Sequence, residues 1–287
     1  MKLIPRVVAQ VIEPQPVLEG AGVRLKRSIA TRTLNYLDPF LLFDDFGSTK
    51  AEDYQAGFPL HPHRGIETVT YVLSGEVHHR DTLGNAGGIG AGDLQWMTSG
   101  RGIMHEEMPQ VSPEGIVGFQ LWVNLPAKQK MTKPNYQDVR SSRIVNISDA
   151  GGASVRIIAG KVFGHEGPVQ GIVADPLYLD VTVPLRSRFE HPIARDHNAF
   201  AYLFEGEAKF ETSEPDGVSL SHPKLIVFGE GDLVRVHTGE RPARFLLIAG
   251  KPLREPVARY GPFVMNTREE IEQALEDLRK GTFVATE

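Results

Sequence analysis

The sequence predicts an all-β protein, two small barrels in tandem with one short helix near the C-terminus. Three observations predict it. Glycine (29) and proline (20) are spread along 287 residues and cut the chain into many short segments. Those segments are dense in β-branched and aromatic residues. The halves also echo each other. Tyr71-Val72-Leu73-Ser74-Gly75-Glu76 matches Tyr202-Leu203-Phe204-Glu205-Gly206-Glu207, and Gly92-Asp93-Leu94 matches Gly231-Asp232-Leu233, in the same order.

In chain order, residues 5–12 and 23–29 read as strands, separated by Gly20-Ala21-Gly22. A run over 37–43 ends at the acidic pair Asp44-Asp45. Strands follow over 67–73, closed by Gly75, and from Val77 to Asp81. Gly84-Asn85-Ala86-Gly87-Gly88 is turn chemistry. Leu94 to Met97, Ile103 to His105 and 118–125 complete the first half. Residues 126–137 are polar, hold Pro126 and Pro134, and read as a linker with Lys128, Lys130 and Lys133 in solvent. This sets one domain over 1–137 and a second over 138–287. The second repeats the pattern at 153–158, 177–183, 199–204, 225–228, 233–236 and 244–248. The helix is signalled by the capping box Thr267-x-x-Glu270, by Ile271, Ala274, Leu275 and Leu278 on one stripe, and by Arg279, Lys280 and Gly281 at its end.

Composition removes several function classes. Apolar residues are 41% and charged residues 23%, the range of a globular protein. The net charge of −5 argues against direct nucleic-acid binding. With no cysteine, disulfides, iron–sulfur clusters and thiolate zinc sites are excluded. The N-terminus lacks a signal-peptide core and no apolar run is long enough to span a bilayer, so a soluble, cytoplasmic protein is the expectation.

Two motifs carry chemistry. His61-Pro62-His63 and His105-Glu106-Glu107 each hold candidate ligands at i and i+2, which point to one face of a strand. Paired strands lie ~4.8 Å apart, so two such pairs on neighbouring strands can surround one ion with His61, His63, His105 and Glu107. Imidazole with carboxylate suits iron, manganese, nickel, copper or zinc, and an ion that prefers six ligands keeps open positions. Pro62 cannot donate to a ladder, so its strand is an edge or irregular there. Alternation sends Glu106 away from the site. It also sends His78 and His79 to opposite faces, which leaves that pair a surface or supporting role. In the second half Pro192 and Ala194 stand where His61 and His63 would, and His191, His197, His237 and Glu240 are scattered. Gly88-x-Gly90-x-Gly92 precedes a strand, not a helix, and is not a nucleotide loop.

Five long strings extend these motifs: DPFLLFDDFG (38–47), HPHRGIETVTYVLSGE (61–76), GDLQWMTSGRGIMHEEMP (92–109), FQLWVNL (119–125) and GKPLREPVARYGPFVMNTREEI (250–271). With them the chain resembles the pirins, two-domain cupin proteins, over nearly its full length. The resemblance implies a bicupin with an N-terminal metal-binding cupin domain and a C-terminal cupin-like domain lacking the ligands. It implies one divalent ion, Fe(II) first, with Mn, Co, Ni, Cu and Zn as alternatives, on His61, His63, His105 and Glu107. General cupins place a carboxylate ligand near Glu67; the pirin pattern moves it to Glu107 and leaves Glu67 a structural or supporting role. The resemblance also implies a substrate pocket at Asp44, Phe58, Arg64 and Gln120. Its activity class would be oxygenolytic opening of a flavonol such as quercetin, with O2 as co-substrate and carbon monoxide released. There Glu107 would serve as general base and Arg64 would steady negative charge. Other pirins imply an alternative: an iron redox-responsive regulator that binds a transcription factor or metabolic enzyme. A monomer, with no membrane or direct nucleic-acid partner, is expected.

Overall fold

The computed structural model describes residues 3–214 and 217–284. The chain forms two compact units, and they interleave. One comprises Gln15–Ser141 and the segment from Leu253 onward; the other comprises the segment before Gln15 and Ser142–Pro252. This differs from the single cut expected between residues 137 and 138. The reason is strand pairing: Val8–Ile12 runs antiparallel to Lys224–Phe228 and so belongs to the later unit. At the other end, the helix Arg268–Lys280 buries Ile271 and Ala274 in a cluster with Phe263, Met265, Phe283 and Met104 of the earlier unit.

The earlier unit, called the first barrel below, has a seven-stranded sheet. Its order is Asn135–Val139, Leu94–Thr98, Ile66–Ser74, Val117–Asn124, Phe40–Asp45, Val23–Ile29 and Gln15–Glu19. A four-stranded sheet runs Phe58–His63, Ile103–Pro109, Val77–Asp81 and Ala86–Ile89. Val23, Leu25 and Val72 of the first sheet share one core with Val77 and Ile89 of the second, so the sheets pack face to face.

The later unit, the second barrel, is a ten-stranded antiparallel assembly around one apolar core containing Phe189, Phe210, Phe228 and Phe245. The first sequence echo marks equivalent strands. Ile66–Ser74 lies between Leu94–Thr98 and Val117–Asn124, as Asn198–Phe210 lies between Lys224–Phe228 and Ala243–Gly250. The second echo does not. The strand after Gly92-Asp93 pairs with Ile66–Ser74 along its length, whereas the strand after Gly231-Asp232 pairs along its length with Arg188–Pro192 and meets Asn198–Phe210 only at Lys209 and Phe210. A Gly-Asp turn can open any strand, so it carries little positional information.

The polar stretch 126–137 also departs from expectation. Asn135–Val139 is a strand paired with Leu94–Thr98. Lys130 is not solvated; it is 1% exposed, and its Nζ donates to Gly65 O (2.9 Å), Asn124 Oδ1 (2.8 Å) and Val264 O (2.7 Å). Burial pulls its pKa down to about 8. The helix keeps its expected ends: Thr267 and Glu270 form the capping box, and Gly281 closes in the left-handed conformation at φ 71°. Among the described residues no helix is long and apolar enough to cross a membrane.

Candidate metal centre

The two motif strands are neighbours. Phe58–His63 pairs antiparallel with Ile103–Pro109, and His105 lies directly opposite His61. The Pro62 strand is the edge of its sheet, and the ladder slips by one residue between His105 and Glu107. The edge and the irregularity are both as the proline requires.

The three imidazoles converge. One ring nitrogen from each of His61, His63 and His105 lies within 4.8 Å of the others, the one such cluster of three or more His, Asp or Glu among the described residues. His61 Nε2 and His63 Nε2 stand 3.1 Å apart. Two nitrogens bound at ~2.1 Å and at right angles on one ion would be ~3.0 Å apart. His61 Nδ1 donates to Pro59 O at 2.9 Å, the tautomer that turns the Nε2 lone pair towards His63 and His105. His105 is completely buried, and neither ring nitrogen has a hydrogen-bond partner among the described residues. Buried polar atoms are nearly always satisfied, so this orphaned imidazole fits a cation ligand. Burial, then the neighbouring imidazoles, holds the pKa of His63 and His105 well below the ordinary histidine value, which keeps both neutral as ligands must be.

Glu107 is buried beside this group but outside the 4.8 Å cluster. Its Oε1 accepts from Thr70 Oγ1 at 2.8 Å, and Thr70 Oγ1 is also 2.8 Å from the Gln120 amide oxygen. Glu106 turns the other way and binds Arg80 at 2.5 Å. His78 is exposed against Glu76 (2.9 Å). His79 is buried opposite Glu107, with Nε2 accepting from Gln95 Nε2 at 2.8 Å and its ring stacked on Tyr136. Glu67 lies three residues from Thr70 on an unbroken stretch of strand, so it faces away from the cavity. There it accepts from Thr98 Oγ1 at 3.0 Å, and burial pushes its pKa up to about 7.

Two spaces meet at the histidines. An inner cavity of about 70 Å³ is lined by Glu107, Thr70 and Gln120 among apolar side chains including Val23, Leu25 and Phe46. An outer cleft of about 640 Å³ is lined by Arg27, Arg259, Leu42, Pro59 and Pro262. His61, His63, Phe58 and Trp122 line both.

Of the four expected pocket residues, Phe58 and Gln120 are at these walls; Asp44 and Arg64 are not. Asp44 sits behind Arg27, which holds both its oxygens at 2.8 Å. Burial pushes the Asp44 pKa up to about 6 against the pull of Arg27. Arg64 is the residue after the edge strand ends at His63, and its contacts turn it away from the cavity. It donates to Arg101 O (2.5 Å), Asp277 Oδ2 (2.6 Å) and Phe283 O (3.4 Å), and stacks 4.5 Å from the Phe283 ring. It ties the C-terminal helix to the metal strand and cannot steady charge in the cavity. The sequence reading missed Thr70 and Trp122. Both were within reach of alternation: Trp122 is two residues past Gln120, and Thr70 is its ladder partner. It also missed Arg27 and Arg259, which are brought to the cleft by contacts distant in sequence.

The Pirin family model matches residues 22–123, and the model described as the pirin C-terminal cupin domain matches residues 178–284. A pirin-like protein of Caulobacter vibrioides is 44% identical over 279 residues, 97% of this chain and 99% of its own. Human pirin is 44% identical over 263 residues, 91% of this chain and 88% of its own. The crystal structure of a quercetin 2,3-dioxygenase from Acinetobacter baumannii covers 99% of this chain and 100% of its own, with TM-score 0.86 and 31% identity. With two such domains, and likeness over almost its whole length, this chain belongs to the pirin family.

Proposed function

We propose that this chain is a metal-dependent dioxygenase that opens an aromatic substrate of the flavonol kind, quercetin being the first to test. The observation that carries the reading is the buried trio His61, His63 and His105, with both His105 nitrogens orphaned. These three would hold a divalent ion, with Glu107, a carboxylate lining the same cavity, for a fourth position. When bound, the ion supplies Lewis-acid and redox chemistry at open coordination positions. The likeness to the Acinetobacter quercetin 2,3-dioxygenase supports the reaction class.

The chain's own residues then divide the work. Small-molecule sites usually span ~300–1,000 Å³, so the outer cleft has room for a three-ring substrate and the inner cavity does not. The inner cavity is apolar over most of its wall and suits a molecule as small as dioxygen. Phe58 and Trp122, common to both spaces, would orient the flat ring system at the junction. A hydroxyl delivered there would pass its proton to Glu107, a carboxylate whose Oε1 is steadied by Thr70. The apolar walls exclude bulk water from that transfer.

The test is direct. The protein is loaded separately with Fe(II), Mn(II), Co(II), Ni(II) or Cu(II), and oxygen uptake and carbon monoxide release are followed with quercetin. Turnover with at least one metal is expected. Glu107→Gln should keep most of the metal and lose turnover; full activity in that variant removes Glu107 as the base. No turnover with any metal, joined to a protein partner that distinguishes ferrous from ferric forms, replaces the enzyme with a redox-responsive regulator.

A further inference from the structure

The outer cleft carries a cation that the metal reading does not use. Arg259 lines it together with Arg27 and Glu19, and with Phe58, Trp122 and His63. Arg27 is already neutralised: Asp44 takes two of its nitrogens at 2.8 Å and Glu19 a third at 2.6 Å. Arg259 has no carboxylate within salt-bridge distance among the described residues. Its Nη1 donates to Leu41 O at 3.1 Å, its Nε reaches Gly261 O at 3.5 Å, and Nη2 has no acceptor among the described residues. The guanidinium lies over the Trp122 ring at 5.1 Å, and the same ring meets His63 edge-on at 5.1 Å. A planar, always-charged donor fork is thus held two aromatic steps from the metal ligands, with donors facing an open cleft.

We propose that Arg259 is an anion-recognition residue and that the substrate class of this cleft is an aromatic acid. Its carboxylate pairs with the free edge of the guanidinium, and its ring lies against Phe58 and Trp122. Its far end then reaches the junction at His61 and His63. The hydrogen bonding of the cleft favours this occupant. Glu19 and Asp44 balance the two arginines in charge but spend their oxygens on Arg27, so Arg259 keeps an unused donor, and a divalent ion would add the net positive field that draws an anion. Bidentate pairing with a carboxylate fits the guanidinium fork, whereas a neutral amide of the same shape leaves it half used. As a statement about the substrate, this rests on the dioxygenase reading; as a statement about binding, it can be measured without turnover.

The test is a pair of probes of equal shape, 2-naphthoate and 2-naphthamide. Both are titrated by tryptophan fluorescence into the metal-loaded protein and into the same protein after chelation. The wild type should bind 2-naphthoate at least tenfold more tightly than 2-naphthamide. Arg259→Gln should bring the two within a factor of about two while leaving metal content unchanged, and Arg259→Lys should restore only part of the preference. Arg186→Gln, a cation in the other unit, should change nothing. Equal affinity for the two probes in the wild type, or an undiminished preference in Arg259→Gln, overturns the proposal. Persistence of the preference in a protein that turns over no quercetin with any metal would remove the flavonol as substrate and leave the anion site standing; absence of the preference in a protein that does turn over quercetin would do the reverse.

Discussion

The two barrels use one strand plan and fill it differently. In the first, the interior next to the edge strand and its neighbour holds His61 opposite His105, with Glu107, Thr70 and Gln120 nearby. In the second, the corresponding pair of strands sets Phe189 opposite Val236 and His191 opposite Val234. Phe189 packs in one core with Phe210, Phe228 and Phe245. The backbone differs as well. The first barrel breaks at Gly75 between Ile66–Ser74 and Val77–Asp81, whereas the second runs through Gly206 as one continuous strand, Asn198–Phe210. Both glycines adopt positive φ, 81° and 75°, so the turn residue persists while its consequence does not. The comparison teaches that the strand plan alone makes no site. A barrel interior becomes a metal centre only where polar ligands replace the apolar filling and a helix and loop are tied down behind them.

The largest expected effect falls on the ligands. His105→Ala should lower bound metal from about one ion per chain to under a tenth, measured by elemental analysis after loading. His191→Leu should leave it unchanged; if both variants lose metal alike, the two barrels are not divided in this way.

The next effect belongs to the second barrel and is a pH dependence. Burial pulls the His191 pKa down to about 4 from an ordinary 6.5. The unfolded chain therefore takes up a proton that the folded one refuses as pH falls between these values. Stability is kept above pH 6.5 and lost towards pH 4, by on the order of 3 kcal/mol. Denaturant melts of wild type and His191→Leu should diverge over that window, the wild type losing more. Parallel curves would mean that His191 is protonated in place.

A smaller effect tests the support behind the first barrel. Asp277→Ala leaves the Arg64 guanidinium buried without its carboxylate, and should cost about 2 kcal/mol and weaken metal binding about tenfold. A stability loss with unchanged metal affinity would make the helix a passive cover. The smallest contrast lies in the loop before it. Lys130→Ala should cost about 2 kcal/mol by orphaning three acceptors, and Lys128→Ala less than about 0.5 kcal/mol. Equal melting curves for the two lysine variants would deny Lys130 its bracing role.

What the sequence reveals follows the range over which each signal acts. Strand alternation is local, and it put His61, His63 and His105 on one side, sent Glu106 to Arg80, and separated His78 from His79. The capping box, also local, marked the helix start at Thr267. Long-range placement was not legible. Nothing adjacent to Arg64 announces that Asp277 and Phe283 turn it away from the cavity, nor does the polar run 126–137 announce that Lys130 is buried against Gly65 and Val264. The interleaving of the units depends on Val8–Ile12 finding Lys224–Phe228, a pairing that no local pattern encodes. Glu107 sits between these cases: its face was readable, while its hydrogen bond to Thr70 and its place outside the imidazole cluster were not.

The most direct measurement is anomalous diffraction from crystals of the cobalt-loaded protein, collected on both sides of the cobalt edge. One strong peak is expected, ~2.1 Å from a ring nitrogen of each of His61, His63 and His105. A map without a peak among those three rings, or with the ion bound in the second barrel instead, would contradict it.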